Sequence, residues 1–329
     1  MENTKSFVDS LCEAVEKKKS FLCCGLDPQL KYMPQHLVSE AIARYGRSFQ
    51  AMGWLFQEFN CRIIDAVCQY VVCVKPNLAF YEAYGQYGVW AFEQTVDYAR
   101  QMGLLIIGDA KRGDGGDTAD AYANGFLGRV PFFSDEKEFL EEKVSPMAVD
   151  CLTVNGYIGE DCVGRFIKVA KKHGKGVFAV VKTSFKPNSE VEQLVTVSGR
   201  KVWQELAWMV KDWGIGTEGE RGLRNVGVVV GATYPGDAFE MRHILPKSIF
   251  LIPGFGGQGA TADDAVVGIL PDGFGGVVNN SRNLIYAWQN QKGKHHCEPE
   301  KFADAARLQA IEDRDALVEA CRKDNKWPH

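Results

Sequence analysis

The sequence predicts an α/β fold of the (β/α)8 barrel type, and four observations carry that expectation. Eight short apolar runs recur along the 329 residues. Helix-like stretches follow them, giving the β/α alternation of a parallel sheet. No Gly-x-Gly-x-x-Gly follows the first run, which counts against a doubly wound open sheet. The runs are continuous in Val, Ile and Leu rather than alternating, as suits strands buried on both faces.

The elements follow in order. Phe7, Leu11 and Val15 fall on one face of an extra N-terminal helix, expected to cover the barrel bottom. The candidate strands span 21–28, 71–77, 104–114, 148–156, 176–184, 226–233, 248–254 and 275–282. Between the first two, Phe49, Met52, Phe56, Phe59, Ile63, Val67 and Tyr70 recur at helical steps. Residues 290–300 read as a polar loop, and 301–322 as an amphipathic C-terminal helix through Phe302, Ala305, Leu308 and Ile311. No domain boundary, internal repeat or low-complexity stretch interrupts the pattern, so residues 1–329 are expected to form one domain, without a fused second enzyme.

Composition narrows the function. Hydrophobic residues make up 46% of the chain, enough for a sizeable core. The formal charge of −4, from 38 Lys and Arg against 42 Asp and Glu, offers no broad basic surface, so no nucleic-acid partner is expected. The first twenty residues are too charged for a signal peptide, and no apolar run approaches the roughly 18 residues of a membrane span. Cys23, Cys24, Cys73 and Cys151 lie in apolar runs, where free cysteine behaves as a small hydrophobe. No Cys-x-x-Cys pair suggests zinc. These features predict a reduced, cytoplasmic protein.

In a barrel of this type catalytic groups stand at the C-terminal ends of the strands. Those ends carry Asp27, Lys75 with Asn77, Asp109 with Lys111 and Asp114, Thr153 with Asn155, Lys182 to Ser184, Thr233, and Arg282. Charge at the end of an apolar strand is costly unless paired, so the group reads as a site. Strand alternation puts Asp109 and Lys111 on one side, and flanking carboxylates keep a lysine charged, as a proton donor must be. Arg112 reads as an exposed turn residue. Pro253 to Gly259 is glycine-rich after the seventh run, and Asn279-Asn280-Ser281-Arg282 follows the eighth. Phosphate sites in these barrels form from those two loops, with glycine admitting backbone N–H groups and arginine clamping the anion. Asn279 and Asn280 read equally as turn caps or ligand contacts. None of the six histidines ends a strand, which disfavours a histidine base or a histidine metal site.

These clusters in this order resemble the orotidine 5'-phosphate decarboxylase family, in its longer, type 2 subgroup. The resemblance runs from about Phe21 to Ala287. It rests on Gly25-Leu26-Asp27-Pro28, Val74-Lys75-Pro76-Asn77, Asp109 to Asp114 with Thr118, Val181 to Ser184, Pro253 to Gln258, and Asn280-Ser281-Arg282. It implies decarboxylation of orotidine 5'-monophosphate to uridine 5'-monophosphate and CO2 in de novo pyrimidine synthesis, with no cofactor and no metal. Lys111 would protonate C6, and Asp109 would face the substrate carboxylate. Lys75 and Asp27 would hold ribose hydroxyls. Ser184 would contact the pyrimidine, and Gln258 with Arg282 would grip the phosphate. Asn77, Asn155, Thr183, Pro253, Gly257 and Asn280 complete the candidate binding set. Asp114 and Thr118 would cross a homodimer interface into the partner's site.

The chain departs from the family pattern twice. Gly115 stands where an apolar residue is expected, and Phe185-Lys186-Pro187-Asn188 replaces a short Asn-Pro step. Two other readings compete: a magnesium-dependent sugar-phosphate aldolase or synthase of the same superfamily, which needs a further acidic ligand, and a nucleotide-binding barrel without turnover.

Overall fold

The computed structural model describes residues 5–135, 140–185 and 190–329. Eight parallel strands close into a barrel: β1 (Leu22–Leu26), β2 (Cys73–Pro76), β3 (Leu105–Arg112), β4 (Cys151–Asn155), β5 (Gly176–Lys182), β6 (Arg224–Val230), β7 (Ser248–Ile252) and β8 (Gly276–Asn280). Each overlaps one of the eight apolar runs. Sequential strands are neighbours, and β8 returns to β1 through the pairs Leu22 with Val278 and Cys24 with Asn280. Every residue of β1, β7 and β8 is buried, the physical counterpart of their continuous apolar character.

Helices Phe49–Val67, Gly85–Gln101, Gly116–Leu127, Glu160–Lys172, Val202–Trp213 and Pro235–Ile244 fill the first six crossovers. The seventh departs from the expected alternation, with only the single turn Ala262–Ala265 between β7 and β8. The terminal helix Phe302–Lys323 covers that side, packing on Ala262–Ala265, β1 and the helix Phe49–Val67. Its anchor is Phe302, stacked on Phe59 at 5.1 Å. The N-terminal helix Phe7–Lys18 begins at Ser6, whose hydroxyl accepts the Asp9 N–H. Phe7, Leu11 and Val15 are buried. Phe7 donates its N–H to Gly174 O, just before β5, and meets Phe178 edge-on, so this helix closes the bottom as expected.

Some elements differ from expectation. Phe49 opens its helix with its ring exposed, and Tyr70 lies beyond the helix end. Leu308 is also exposed; the buried face of the terminal helix runs through Phe302, Ala306, Ala310, Asp313 and Leu317. An antiparallel pair, Arg129–Phe132 with Glu141–Val144, lies outside the eight expected strands. No described helix is long and apolar enough to cross a membrane. The ten cysteines are all unpaired.

Candidate active site

A cavity of about 460 Å³ opens at the C-terminal ends of the strands. Asp27, Lys75, Asn77, Asp109 and Lys111 line one side of the ring of strand ends. Thr183, Ser184, Pro253, Gly257, Gln258, Asn280 and Arg282 line the rest. Residues scattered over more than 250 positions thus meet because the barrel closes.

Asp109 is the hub. Its Oδ2 accepts from Lys75 Nζ at 2.9 Å, and its Oδ1 accepts from Lys111 Nζ at 2.5 Å. Burial opposes charge on Asp109, yet the two ammonium groups hold it well below the usual carboxylate range. Burial likewise opposes charge on Lys75, and Asp109 with Asp27 raises it above the ordinary lysine value. Lys75 and Asp109 are buried, whereas the Lys111 side chain is 51% exposed toward the cavity. The arrangement is one anchored ion pair carrying a second, accessible ammonium.

Simple strand alternation does not explain how Lys111 reaches Asp109. The β3–β4 register slips between Gly108 and Arg112, and Lys111 takes a left-handed backbone conformation with φ +48°. Such a conformation in a non-glycine residue is strained and must be held by its surroundings. Thr153 accepts the Lys111 N–H at 3.0 Å. Arg112 is no exposed turn residue either. It ends β3, pairs with Glu82, and lies over the rings of Tyr122 and Phe126.

Two buried acceptor-bearing atoms face the cavity without a hydrogen-bond partner among the described residues: Asp27 Oδ1 after β1 and Thr183 Oγ1 after β5. A buried polar atom left unpaired is costly, and a bound ligand would satisfy both. Burial raises the Asp27 carboxyl, with Lys75 pulling in the opposite direction. Tyr286 steadies the Asp27 turn, donating its hydroxyl to Asp27 O and accepting the Gln29 N–H. Lys182, although at a strand end, is outside the cavity. It is fully buried against Glu192 at 3.1 Å and the Tyr234 ring at 4.1 Å. Thr233 donates to Ser184 O.

Elsewhere around the cavity, Gly254, Gly256 and Gly259 have positive φ, which the tight, internally hydrogen-bonded loop after β7 requires. Arg282 begins the turn after β8 and has no carboxylate partner among the described residues, so its guanidinium is free for an anion. Asn279 and Asn280 are not turn caps. They are the buried last residues of β8, and Asn280 Nδ2 donates to Asp313 Oδ2 at 2.7 Å. Asp313 comes from the terminal helix, and burial pushes its carboxyl up to about 6 despite hydrogen bonds from Gln309 and Asn280. Sequence reading missed Asp313 because a lone aspartate in a charged helix gives no signal.

Three candidates lie outside this cavity. Asp114 and Thr118 are exposed beside it, and exposed Asn155 spends its side chain accepting the Tyr157 N–H. Gly115 has φ −103°, an ordinary extended value, and it is Gly116 that needs positive φ. Lys186, Pro187 and Asn188 lie outside the described residues. Among the described residues no group of three His, Cys, Asp or Glu side chains could hold a metal ion.

Concentrating charge of both signs at a cavity mouth serves no packing purpose, because buried ions cost more than well-packed apolar groups. The molecule is an enzyme of the (β/α)8 class, with its site at the strand ends. It belongs to the orotidine 5'-phosphate decarboxylase / HUMPS family, whose sequence profile matches residues 20–273. An orotidine 5'-phosphate decarboxylase of Rhodopirellula baltica is 36% identical over 95% of this chain and 99% of its own length. Among solved structures, Leishmania donovani OMP decarboxylase superposes with a TM-score of 0.66 at 27% identity, covering 94% of this chain and 99% of that one. Leishmania donovani UMP synthase matches at 0.68 and 28%; 95% of this chain is covered, but only 57% of that longer chain.

Proposed function

We infer that the chain converts orotidine 5'-monophosphate to uridine 5'-monophosphate and CO2, a step of de novo pyrimidine synthesis. The observation that carries the reading is the Lys111 ammonium, 2.5 Å from an Asp109 carboxylate that Lys75 anchors from the other side. In the proposed reaction the C6–carboxylate bond breaks, CO2 leaves, and the electron pair stays on C6. Lys111 stabilises that developing charge and then delivers its proton to C6. Asp109 lies beside the substrate carboxylate. Lys75 and Asp27 take the ribose hydroxyls, with Asp27 Oδ1 gaining the partner it lacks. Thr183 and Ser184 face the pyrimidine, and Arg282, Gln258 and the glycine loop receive the phosphate. Phosphate binding far from C6 then supplies energy for alignment at the reacting carbon. The reading invokes no metal or organic cofactor.

The active form we propose is a homodimer with shared sites. Asp114 and Thr118 are exposed and outside their own chain's cavity. Gly113 beside Asp114 adjoins Ile158, which together with Tyr157 forms an exposed apolar patch. Ten unpaired cysteines suit a reducing compartment, and we propose the cytoplasm.

The test follows loss of orotidine 5'-monophosphate absorbance with and without chelator, for wild type and Lys111→Ala. Turnover indifferent to chelator is expected. Lys111→Ala should bind uridine 5'-monophosphate yet lose nearly all kcat. A tenth of the wild-type rate, worth only about 1.4 kcal/mol, would remove the proton-donor role. Loss of activity in chelator would favour the aldolase-like reading, and binding without turnover the non-catalytic one.

A further inference from the structure

We propose that Thr153 is a positioning residue that sets where the Lys111 ammonium stands. The proposal rests on Lys111 as proton donor. Between the pairs Gly108 with Leu152 and Arg112 with Val154, three residues of β3 stand opposite the single residue Thr153 of β4. This bulge contains Asp109, Ala110 and Lys111, so the strand that carries the reacting pair loses its regular ladder toward β4 there, while Asp109 O still accepts the Leu78 N–H on the other side.

The Thr153 hydroxyl fills the gap in both directions. It accepts the Lys111 N–H at 3.0 Å and lies 3.0 Å from Asp109 Oδ1, to which it donates. The alternative acceptor, Gly108 O, is farther at 3.5 Å and uncharged, so Asp109 takes the proton. The same carboxylate oxygen receives Lys111 Nζ. One buried hydroxyl therefore grips Lys111 at its backbone and, through Asp109, at its side-chain end. Thr153 is fully buried and does not line the cavity, so it acts through its neighbours rather than on substrate. The Lys111 backbone, at φ +48°, needs such a restraint. A valine of the same shape would satisfy strand packing equally well; only the hydroxyl explains both contacts.

The experiment compares Thr153→Val and Thr153→Ser in the full chain, reading kcat and KM on orotidine 5'-monophosphate, uridine 5'-monophosphate affinity, and a crystal structure of the valine variant. Thr153→Val should lower kcat about 100-fold, the scale of a misplaced reacting group, with KM and product affinity nearly unchanged. Thr153→Ser should recover most of kcat. If the valine variant does not fold, Thr153→Ala, which removes the oxygen without adding a methyl, takes its place. Wild-type kcat in the valine or alanine variant overturns the proposal, as does a serine variant equally slow. An unchanged position of Lys111 in the variant structure also overturns it, independently of turnover. Retained activity in Lys111→Ala would instead sink the proton-donor reading alone.

Discussion

Lys75 and Asp109 form an ion pair of 2.9 Å in which both side chains are less than a tenth exposed. Such a pair stabilises little compared with apolar packing, but losing one partner strands a charge. Lys75→Met should therefore destabilise the fold by about 3 kcal/mol in urea unfolding. Lys75→Met combined with Asp109→Asn should regain most of that stability while remaining inactive. Equal stability of the single variant and wild type would show that Lys111 alone suffices to hold Asp109.

Arg282 has no carboxylate partner among the described residues, so in the proposed phosphate site its guanidinium would be fully available to the ligand. Arg282→Ala should raise KM about 100-fold, matching a lost charged hydrogen bond of about 3 kcal/mol. A smaller fall in kcat should accompany it, because remote binding energy also aligns C6. An unchanged KM would take Arg282 out of the phosphate site.

Gly115 has room for a Cβ provided that Asp161 yields slightly. Its backbone is extended, and the nearest atom to an added Cβ is Asp161 Oδ2 at 3.3 Å, on a side chain that is exposed. Gly115→Ile should keep stability within about 0.5 kcal/mol and preserve or improve kcat/KM. A large fall in Tm would mean that the approach of Asp161 is fixed rather than yielding.

Asp313 gives a pH signature. Its folded carboxyl titrates at about 6, above the unfolded value of roughly 3.9. A raised carboxyl favours the protonated native state, so its contribution is complete below the unfolded value and lost as pH rises to the folded one. Between those limits wild type should lose about 3 kcal/mol relative to Asp313→Asn, which cannot ionise. The hydrogen-bonded neighbours His295 and Glu312 are present in both proteins, so the comparison isolates Asp313. A difference that stays flat with pH would show that Asp313 ionises as freely folded as unfolded.

The proposed sharing of sites between two protomers is open to a mixing test. Lys111→Ala and Asp114→Ala should each be nearly inactive. Unfolded together and refolded, random pairing makes half the dimers hybrid, each with one intact site, so about a quarter of wild-type activity should return. A mixture shown by mass to contain hybrids, yet inactive, would place Asp114 and Lys111 in the same chain's site.

The barrel was legible because its strands are buried on both faces and so read as uninterrupted apolar runs. The charged residues that end those runs were legible for the complementary reason, that an ion there has no packing role. What escaped depends on partners distant in sequence. Asp313 is paired with Asn280 only after the terminal helix docks. Lys182 ends a strand as the site residues do, but Glu192 and Tyr234 hold it away from the cavity. The bulge at Lys111 breaks the alternation that a regular strand would obey, and no local residue announces it. The pair Arg129–Phe132 with Glu141–Val144 is mostly exposed, and its second strand, Glu-Glu-Lys-Val, lacks the apolar character of a buried strand.

The bond between the first and last strands has a consequence for how the chain folds. Leu22 pairs with Val278, more than 250 residues away, and Phe21 packs against Trp327 near the C-terminus. Contacts of such long range are the slowest to form, because the intervening chain must be ordered first. During synthesis β1 emerges early and keeps an unpaired, apolar edge until β8 leaves the ribosome. Such an edge is the kind that seeks strands of other chains. The segment from Gly276 onward therefore acts as the seal of the barrel, and a chain truncated before β8 should aggregate rather than fold into a smaller version of itself.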